Sequence, residues 1–177
     1  LDIQLVETGE ELFRKRHEFI DQFIPVFNSY YHTISGGHEN IELVYKSQLN
    51  EGDFLRLLKQ ERSRDLKMQY TTVGIHKDDL VLNLGKRSIK YIGSQGQQKT
   101  FLVSLKFAQF EFLRKITNYL PLLLLDDVFD KLDSKRVKNI LELVGRETFG
   151  QIFITHTNMG RMRNILEELN IAHTLFS

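Results

Sequence analysis

A run of four leucines followed by two aspartates, residues 122–127, constrains the fold of this chain more than any other segment. Consecutive apolar residues cannot alternate between core and solvent, so the run predicts a strand buried on both faces, as in parallel sheets. The two carboxylates follow where that strand must end. Ligands of open α/β sheets bind outside the carboxyl ends of the strands, and Mg²⁺ on nucleotide phosphates is the usual partner of acids placed there.

This pattern is that of a Walker B motif, although an apolar strand followed by a solvated acidic turn would show the same letters. Three flanking segments favour the functional interpretation: the loop SQGQQ at 94–98, Leu132-Asp133, and the apolar run 151–155 followed by His156. Signature loop, Walker B, D-loop and switch histidine occur in this order in ABC-type ATPase heads. Each segment alone is a weak signal, because a serine before a helix is a common N-cap and a lone histidine is usually a bystander.

The signature-like loop has a physical reason to bind an anion. Ser94 can cap the helix that follows, and Gly96 lets the backbone approach a ligand closely. The start of that helix then presents free amides and the positive end of the helix dipole. The sequence therefore predicts a phosphate-binding helix N-terminus upstream of the acidic strand.

Beyond this order of motifs, the amino-acid sequences of four segments resemble those of the RecF family of bacterial recombinational-repair ATPases. The segments are residues 93–100 (GSQGQQKT), 123–128 (LLLDDV), 2–5 (DIQL) and 72–80 (TVGIHKDDL), the last similar to the family's G-P-H-R-D-D-L. The resemblance covers essentially the whole chain and corresponds to the C-terminal half of such a protein.

This resemblance implies an α/β fold: part of an ABC-type P-loop ATPase head, with parallel strands, a crossover helix and a β-hairpin, joined to a mainly helical arm. The implied ligands are ATP and Mg²⁺, with Asp126 holding the metal through a water molecule. Asp127 stands where most ABC ATPases have a glutamate, which implies slow hydrolysis. The implied catalytic residues are Asp126, Asp127 and His156, and the residues implied to meet the nucleotide of a second protomer are Ser94, Gln95, Gly96, Gln97, Gln98 and Asp133.

The biological role implied by the resemblance is ATP-dependent DNA binding in repair, recombination, replication restart and the SOS response. The implied partners are gapped single- or double-stranded DNA, a second copy in an ATP-dependent homodimer, and recombination mediator proteins that help to load recombinase. The implied location is the bacterial cytoplasm, in association with the nucleoid. A full-length protein would be a weak, DNA-stimulated ATPase.

The chain departs from the family pattern in one respect, because it contains no G-x-x-x-x-G-K-[ST] phosphate loop. Gly36-Gly37 is followed by His38-Glu39, without the required lysine. We expect a fragment whose Walker A motif lies upstream, and no ATPase activity from this chain alone. Two alternatives remain open: another SMC-like repair ATPase head, or a non-catalytic interaction scaffold.

Composition excludes a disulfide-stabilised fold, a thiolate metal site and a membrane-spanning helix. The chain has no cysteine and no apolar stretch near the roughly twenty residues that a membrane span needs. Lys and Arg number 24 against 23 Asp and Glu, so any DNA-binding surface must come from local clusters of charge. We expect such clusters on the second helix and on the hairpin, at Arg62, Arg64, Lys67, Lys86 and Arg87, although a basic cluster is usually just a solvated face.

Hydrophobic periodicity predicts the elements of the first part of the chain. It predicts a helix over 10–34 kinked at Pro25, a strand over 41–45, and a second helix capped by Asn50 that runs to about residue 67. A hairpin follows, with strands over 80–84 and 89–92. Residues 76–79 have the composition of a metal or phosphate site but fit no metal template, so a charged turn is the other interpretation.

In the second part, the pattern predicts an apolar helix over 96–117 and then a β-α-β unit. That unit consists of the acidic strand, a helix over 134–144 and a strand over 151–155. A last helix over 159–169 and a short strand over 172–176 complete the chain. We place a domain boundary near residue 69, between a mainly helical arm (1–69) and an ATPase lobe (70–177).

Overall fold

The described residues, 2–145, 149–156 and 159–176, form two compact units in a computed structural model of the chain. The first unit comprises Leu1–Pro25 and Ile41–Ser88, and the second comprises Val26–Asn40 and Ile89–Ser177. This division differs from the predicted boundary near residue 69, because residues 79–84 pair with the strand at Ile41–Lys46, and Arg87 and Ser88 pair with residues 83–84. No helix within the described ranges is long and apolar enough to cross a membrane.

The first unit contains an antiparallel sheet with strand order β1-β2-β3. β1 pairs with β2 in a register that sets Ile41 opposite Leu84 and Lys46 opposite Asp79. The elements are the first part of helix α1 (Asp2–Ser35), β1 (Ile41–Lys46), a 3₁₀ turn (Gln48–Glu51), α2 (Phe54–Met68), a 3₁₀ turn (Ile75–Lys77), β2 (Asp79–Leu84) and β3 (Arg87–Ser88).

Two local predictions for this region are wrong. Asn50 does not cap α2; the cap is Asp53, whose carboxylate accepts a hydrogen bond from the Arg56 N–H at 2.8 Å. Residues 89–92 form the short helix α3 (Ile89–Ile92) and not a strand, so that only Arg87 and Ser88 pair with β2. The Gly93 N–H closes that helix on the Ile89 carbonyl at 2.8 Å, and a Cβ at Gly93 would clash with Ile89.

The core of the first unit forms around Phe54 at the start of α2. Phe54 is 2% exposed, and its ring leaves no room for a side chain at Gly9, where a Cβ would lie 2.5 Å from Cε1. The other buried members are Leu49, Leu58 and Val73, with Val6, Phe13, Leu57 and Ile75 packed against them. A small apolar cluster of this kind is enough to fix α1 against α2.

The second unit contains two parallel strands with helices. Its elements are the end of α1, α3, α4 (Gln95–Thr117), β4 (Leu123–Asp126), α5 (Ser134–Val144), β5 (Ile152–Thr155) and α6 (Met159–Glu168). β4 pairs with β5 in parallel, with Leu123 opposite Ile152 and Asp126 opposite Thr155. The predicted strand over 172–176 does not form; residues 171–176 have no regular secondary structure.

The core of this unit lies between α4, α5, α6 and one face of the sheet. Phe107, Ile140 and Leu141 are fully buried there. The rings of Phe107 and Phe110 lie 5.4 and 4.9 Å from that of Phe149. Aromatic pairs at such distances stabilise a core by about 0.5–1.5 kcal/mol beyond their burial.

The leucine run is buried on one face only, so the prediction that both faces are buried is wrong for this chain. Leu123 and Leu125 are 7% and 4% exposed, whereas Leu122 and Leu124 are 63% and 70% exposed. Phe153 on the neighbouring strand is 45% exposed. A parallel strand is normally covered on both faces, and here the described part of the chain supplies a layer for one face. The result is an apolar surface of the kind that marks an interaction site.

This alternation predicts unequal effects for two neighbouring leucines. Leu125→Ala opens a cavity in the core and should lower the free energy of unfolding by about 2–5 kcal/mol. Leu124→Ala removes an exposed side chain of the same size and should change it by no more than about 0.5 kcal/mol. Urea unfolding of the two variants measures both values, and equal losses would contradict the one-sided burial.

Candidate functional site

The two acids after β4 are connected to the end of β5 by a single hydroxyl group. Thr155 donates a hydrogen bond from Oγ1 to Asp126 Oδ1 at 2.5 Å, and the Asp127 N–H donates to Thr155 Oγ1 at 3.0 Å. The parallel register produces this contact, because Asp126 and Thr155 are direct partners in the ladder. Both aspartates are exposed, so their remaining oxygen atoms are available to a ligand.

The backbone at Asp127 is in the left-handed region, with φ of 45°. Residues other than glycine occupy that region rarely, and such positions are frequent at ligand-binding sites. Lys99 stabilises this conformation, because its Nζ donates a hydrogen bond to the Asp127 carbonyl at 3.1 Å. This contact also brings the start of α4 to the acids, so the two main predicted motifs lie together and not on opposite sides of the unit.

The signature-like loop forms a capping box at the start of α4. The Gln97 N–H donates to Ser94 Oγ at 3.2 Å, and the Ser94 N–H donates to Gln97 Oε1 at 2.9 Å. Gln98 fixes the preceding segment, since its Nε2 donates to the Gly93 carbonyl at 2.9 Å. The first amides of a helix have no intrahelical acceptor. The box uses those of Ser94 and Gln97, which leaves the amides of Gln95 and Gly96 as donors for an anion.

The segment just before the predicted D-loop (Leu132-Asp133) lies directly against this helix start. A Cβ at Gly96 would lie 3.1 Å from the Lys131 carbonyl oxygen, so the absence of a side chain at Gly96 allows the two loops to approach. Lys131 itself has a φ of 63°. Asp133 caps α5 by accepting a hydrogen bond from the Arg136 N–H at 2.9 Å, and its side chain remains 60% exposed. Asp133 therefore caps α5 and remains exposed at the same time.

His156 follows β5 and is half-buried. Its ring packs edge-on against Phe129, with the centroids 5.9 Å apart. Its Nδ1 is buried and makes no hydrogen bond with any residue that the structure describes. Packing against Phe129 therefore orients this ring.

Three residues that sequence reasoning missed form a buried polar network beside the signature loop. Glu39 Oε1 accepts hydrogen bonds from Arg136 at 2.5 Å and from Gln97 Nε2 at 3.2 Å, and Glu39 Oε2 accepts one from the Tyr31 hydroxyl at 2.5 Å. The side chains of Arg136 and Glu39 are only 13% and 14% exposed. No spacing in the sequence connects positions so far apart along the chain, so only the fold could reveal them.

The electrostatics of this network keep Glu39 ionised. Burial alone would raise the pKa of Glu39, but the hydrogen bonds from Tyr31, Arg136 and Gln97 outweigh it and hold that pKa below the ordinary value. Burial and the neighbouring Glu39 carboxylate raise the pKa of the Tyr31 phenol well above its ordinary value. The pair is therefore an ionised carboxylate with a neutral phenol donor.

In the first unit, residues 76–79 are organised around a structural ion pair. The Asp78 carboxylate is 3% exposed, and its Oδ2 accepts hydrogen bonds from Arg16 at 2.7 Å and from the Tyr45 hydroxyl at 2.5 Å. The hydrogen bond with Asp78 raises the pKa of the Arg16 guanidinium. The neighbouring Lys77 lies 5.2 Å from the centre of the Tyr70 ring. Asp78 therefore fixes the segment before β2 to α1 through Arg16 and to β1 through Tyr45.

The basic residues expected to face DNA all belong to the first unit and are exposed: Arg62, Arg64, Lys67, Lys86 and Arg87. Two of them are partly neutralised on the surface. Arg62 pairs with Asp2 at 3.2 Å and Arg64 pairs with Glu61 at 3.4 Å. Exposed pairs of this kind are weak and exchange readily for a phosphate.

The carboxylates of Asp126 and Asp127 are suited to Mg²⁺ that is also bound by nucleotide phosphates. No group of three or more His, Asp or Glu side chains within the described ranges is arranged to hold a metal ion. Mg²⁺ keeps several water molecules and is usually bound by one or two carboxylates together with substrate phosphates. The exposed oxygen atoms of Asp126 and Asp127 meet that requirement.

The chain has close relatives among curated proteins, although no protein-family model matches it. It is 48% identical over 174 residues to the DNA replication and repair protein RecF of Flavobacterium johnsoniae, covering 98% of this chain and 48% of the relative. It is 44% identical over 177 residues to the protein of the same name from Porphyromonas gingivalis, covering 49% of that protein. The chain therefore spans about half the length of the relatives it matches.

Two solved structures match this chain in fold. The recombination mediator protein RecF in its ATP complex matches with a TM-score of 0.71 and 30% identity, over 90% of this chain and 44% of the other. A head of Smc bound to the C-terminal winged-helix domain of ScpA matches with a TM-score of 0.51 and 16% identity, over 84% of this chain. The prediction of an ABC-type ATPase head with an α/β fold is confirmed, as is the resemblance to RecF. Neither alternative, another SMC-like head or a scaffold, is favoured by these matches.

The ionised Glu39 predicts a loss of stability in acid. Because its pKa is lowered on folding, Glu39 stabilises the folded chain fully above the ordinary glutamate value of 4.5, and this contribution is lost as the pH falls through the lowered pKa. Glu39→Gln should therefore lower the free energy of unfolding by about 1.5–3 kcal/mol at neutral pH. The loss should become smaller as the pH falls through the lowered pKa of Glu39. Urea unfolding at several pH values measures the difference. Glu42→Gln, at an exposed position on β1, is the matched control and should cost little at any pH.

Proposed function

Because this chain is homologous to about half of RecF, we propose that it forms one part of an ATP-dependent DNA-binding protein of recombinational repair and replication restart. One observation supports the proposal above the others. The hydrogen bond from Lys99 to the Asp127 carbonyl sets the phosphate-binding start of α4 beside the acids that end β4. In the proposed dimer the acids serve the nucleotide of their own protomer and the signature loop serves that of the second protomer, so this contact fixes the relative position of the two elements within each protomer.

The start of α4 is the phosphate-binding element of the proposed site. The capping box uses neither the amide of Gln95 nor that of Gly96, and both lie at the positive end of a long helix, an arrangement that attracts a phosphate. The chain has no lysine-containing phosphate loop of its own. We therefore assign these amides, together with Ser94, Gln98 and Asp133, to a nucleotide held by a second protomer.

The acids at the end of β4 are the hydrolytic element. Thr155 holds the Asp126 carboxylate in one orientation, in which it would hold a water molecule of Mg²⁺. When bound with ATP, Mg²⁺ neutralises charge on the phosphates. Asp127 orients the attacking water, and His156 lies at the end of the adjacent strand. An aspartate is one methylene shorter than the usual glutamate, which accounts for slow hydrolysis in this proposal.

ATP binding would control DNA binding through dimerisation. A ligand shifts an equilibrium only by its difference in affinity for the two states. ATP contacts both protomers in the closed dimer and one protomer in the open state, so it favours closure. Duplex or gapped DNA then binds through phosphate contacts of Arg62, Arg64, Lys67, Lys86 and Arg87, without reading sequence. Recombination mediator proteins in the bacterial cytoplasm are the partners that the proposal assigns to the closed form.

The exposed face of β4 and β5 supports the presence of a further portion of the protein, of about the same length as this chain. The relatives are about twice as long as this chain, and Leu122, Leu124 and Phe153 present an apolar surface that a parallel sheet normally buries. We assign the cover of this face to the remaining portion, which would also supply the phosphate loop.

The role of Asp126 is tested by removing its charge while keeping its shape. In the full-length protein, Asp126→Asn should lower the turnover of ATP by about 10- to 100-fold or more, because a neutral amide holds a metal-bound water poorly. Asp130→Asn, at an exposed acid in the following turn, is the matched control and should retain turnover. ATP hydrolysis and circular dichroism of both variants measure activity and fold, and full activity of Asp126→Asn would contradict the assignment.

The role of the signature loop is tested at Ser94. Ser94→Arg places a bulky side chain where the second protomer's nucleotide must approach, so ATP binding should persist while ATP-dependent dimerisation is lost. Ser94→Thr keeps a hydroxyl cap and is expected to dimerise normally. Size-exclusion chromatography with light scattering, with and without ATP, measures the outcome. Unchanged dimerisation of Ser94→Arg would count against the nucleotide-sandwich mechanism.

A further inference from the structure

We propose that Glu39 and Arg136 are positioning residues for the proposed nucleotide-dependent dimer, because together they fix the signature loop and the D-loop in one geometry. The inference rests on the proposed function, since both loops are assigned there to a nucleotide of the second protomer. Neither residue touches the nucleotide in this arrangement. They act through Gly96, Gln97 and Asp133.

Arg136 is the centre of the network. Its guanidinium donates hydrogen bonds to Thr100 Oγ1 at 2.6 Å, to the Gly96 carbonyl at 3.3 Å and to Asp133 Oδ2 at 3.1 Å, in addition to Glu39. Thr100 is fully buried and donates in turn to the Gly96 carbonyl at 2.8 Å. One planar side chain thus connects the first turn of α4 with the first turn of α5.

Glu39 fixes the other side of the same loop. Its Oε1 accepts a hydrogen bond from the Gln97 amide group, whose oxygen completes the capping box with the Ser94 N–H. This contact determines which way the Gln97 side chain faces, and so holds the box closed. The Tyr31 hydroxyl fixes the second oxygen of Glu39. Glu39 and Arg136 therefore hold the loop residues that are proposed to contact the nucleotide, without contacting it themselves.

Stability alone does not explain this choice of residues. A buried ion pair stabilises a fold no better than well-packed apolar residues of the same volume, because both charges must leave water. An ion pair with several further hydrogen bonds instead fixes the residues around it in a single geometry. Binding constellations need that precision, since a displacement of about 1 Å reduces activity by about 100-fold. We infer that the network is present to set the relative position of Gly96 and Asp133.

The experiment compares Glu39→Gln and Arg136→Lys with a matched control in the full-length protein. Arg114→Lys is the control, because Arg114 also lies in α4 and is ion-paired, with Glu111 at 2.8 Å. It lies roughly 27 Å along the helix from Gly96. Two quantities are measured for each variant below its melting temperature: the affinity of the monomer for a fluorescent ATP analogue, and the dissociation constant of the ATP-bound dimer.

We expect both network variants to bind the analogue as the unchanged protein does, while the dimer dissociation constant rises by about 10- to 100-fold. The control should change neither quantity. The variant carrying both changes should have a dimer dissociation constant no higher than that of the more impaired single variant, because the two residues act as one unit. If Arg136→Lys does not fold, Glu39→Gln and Tyr31→Phe give the answer, since both keep the volume of the buried side chain.

Three outcomes would overturn the inference. Dimerisation of the network variants equal to that of Arg114→Lys would show that the pair does not position the loops. An equal loss of analogue binding and dimerisation would indicate a general structural role. If the unchanged protein does not dimerise with ATP, both the inference and the proposed function are contradicted. The first two outcomes contradict the inference alone.

Discussion

The parallel pairing of β4 with β5 is the constraint on which the rest of the site depends. Its register sets Thr155 opposite Asp126, and the Thr155 hydroxyl then contacts both the Asp126 carboxylate and the Asp127 amide. Asp127 is thereby held in a left-handed conformation, which residues other than glycine adopt only rarely. The exposed acids are consequently ordered before any ligand arrives. Such preorganisation reduces the cost of binding a metal-bound phosphate.

Two different kinds of interaction hold the second unit together. Aromatic and aliphatic packing around Phe107 fixes α4 and α5 along most of their length. At their first turns, packing gives way to the ionic network of Glu39 and Arg136. Apolar contacts tolerate small shifts, whereas a carboxylate with three donors has essentially one arrangement. The change in chemistry occurs where the position of a loop matters more than the stability of the helix.

Sequence patterns predicted the elements with strong periodicity or turn chemistry. The helix Ser134–Val144 was predicted at its observed bounds, and the capping role of Ser94 is confirmed. The predictions failed where distant packing decides local structure. Residues 89–92 are apolar enough for a strand, but they form a helix that ends at Gly93. The leucine run was predicted to be buried on both faces, because a continuous apolar run is typical of a strand in a sheet covered on both sides. The described part of this chain covers only one of those faces.

The sequence by itself determined the motifs, their order and the resemblance to RecF, because such signals depend on residues close together along the chain. Only the tertiary structure decided that Lys99 contacts the Asp127 carbonyl and that Glu39 meets Arg136. These contacts join residues that are distant along the chain, and no local propensity or spacing encodes them. The physical reason is that a polar side chain chooses its partner only after packing has excluded water from around it.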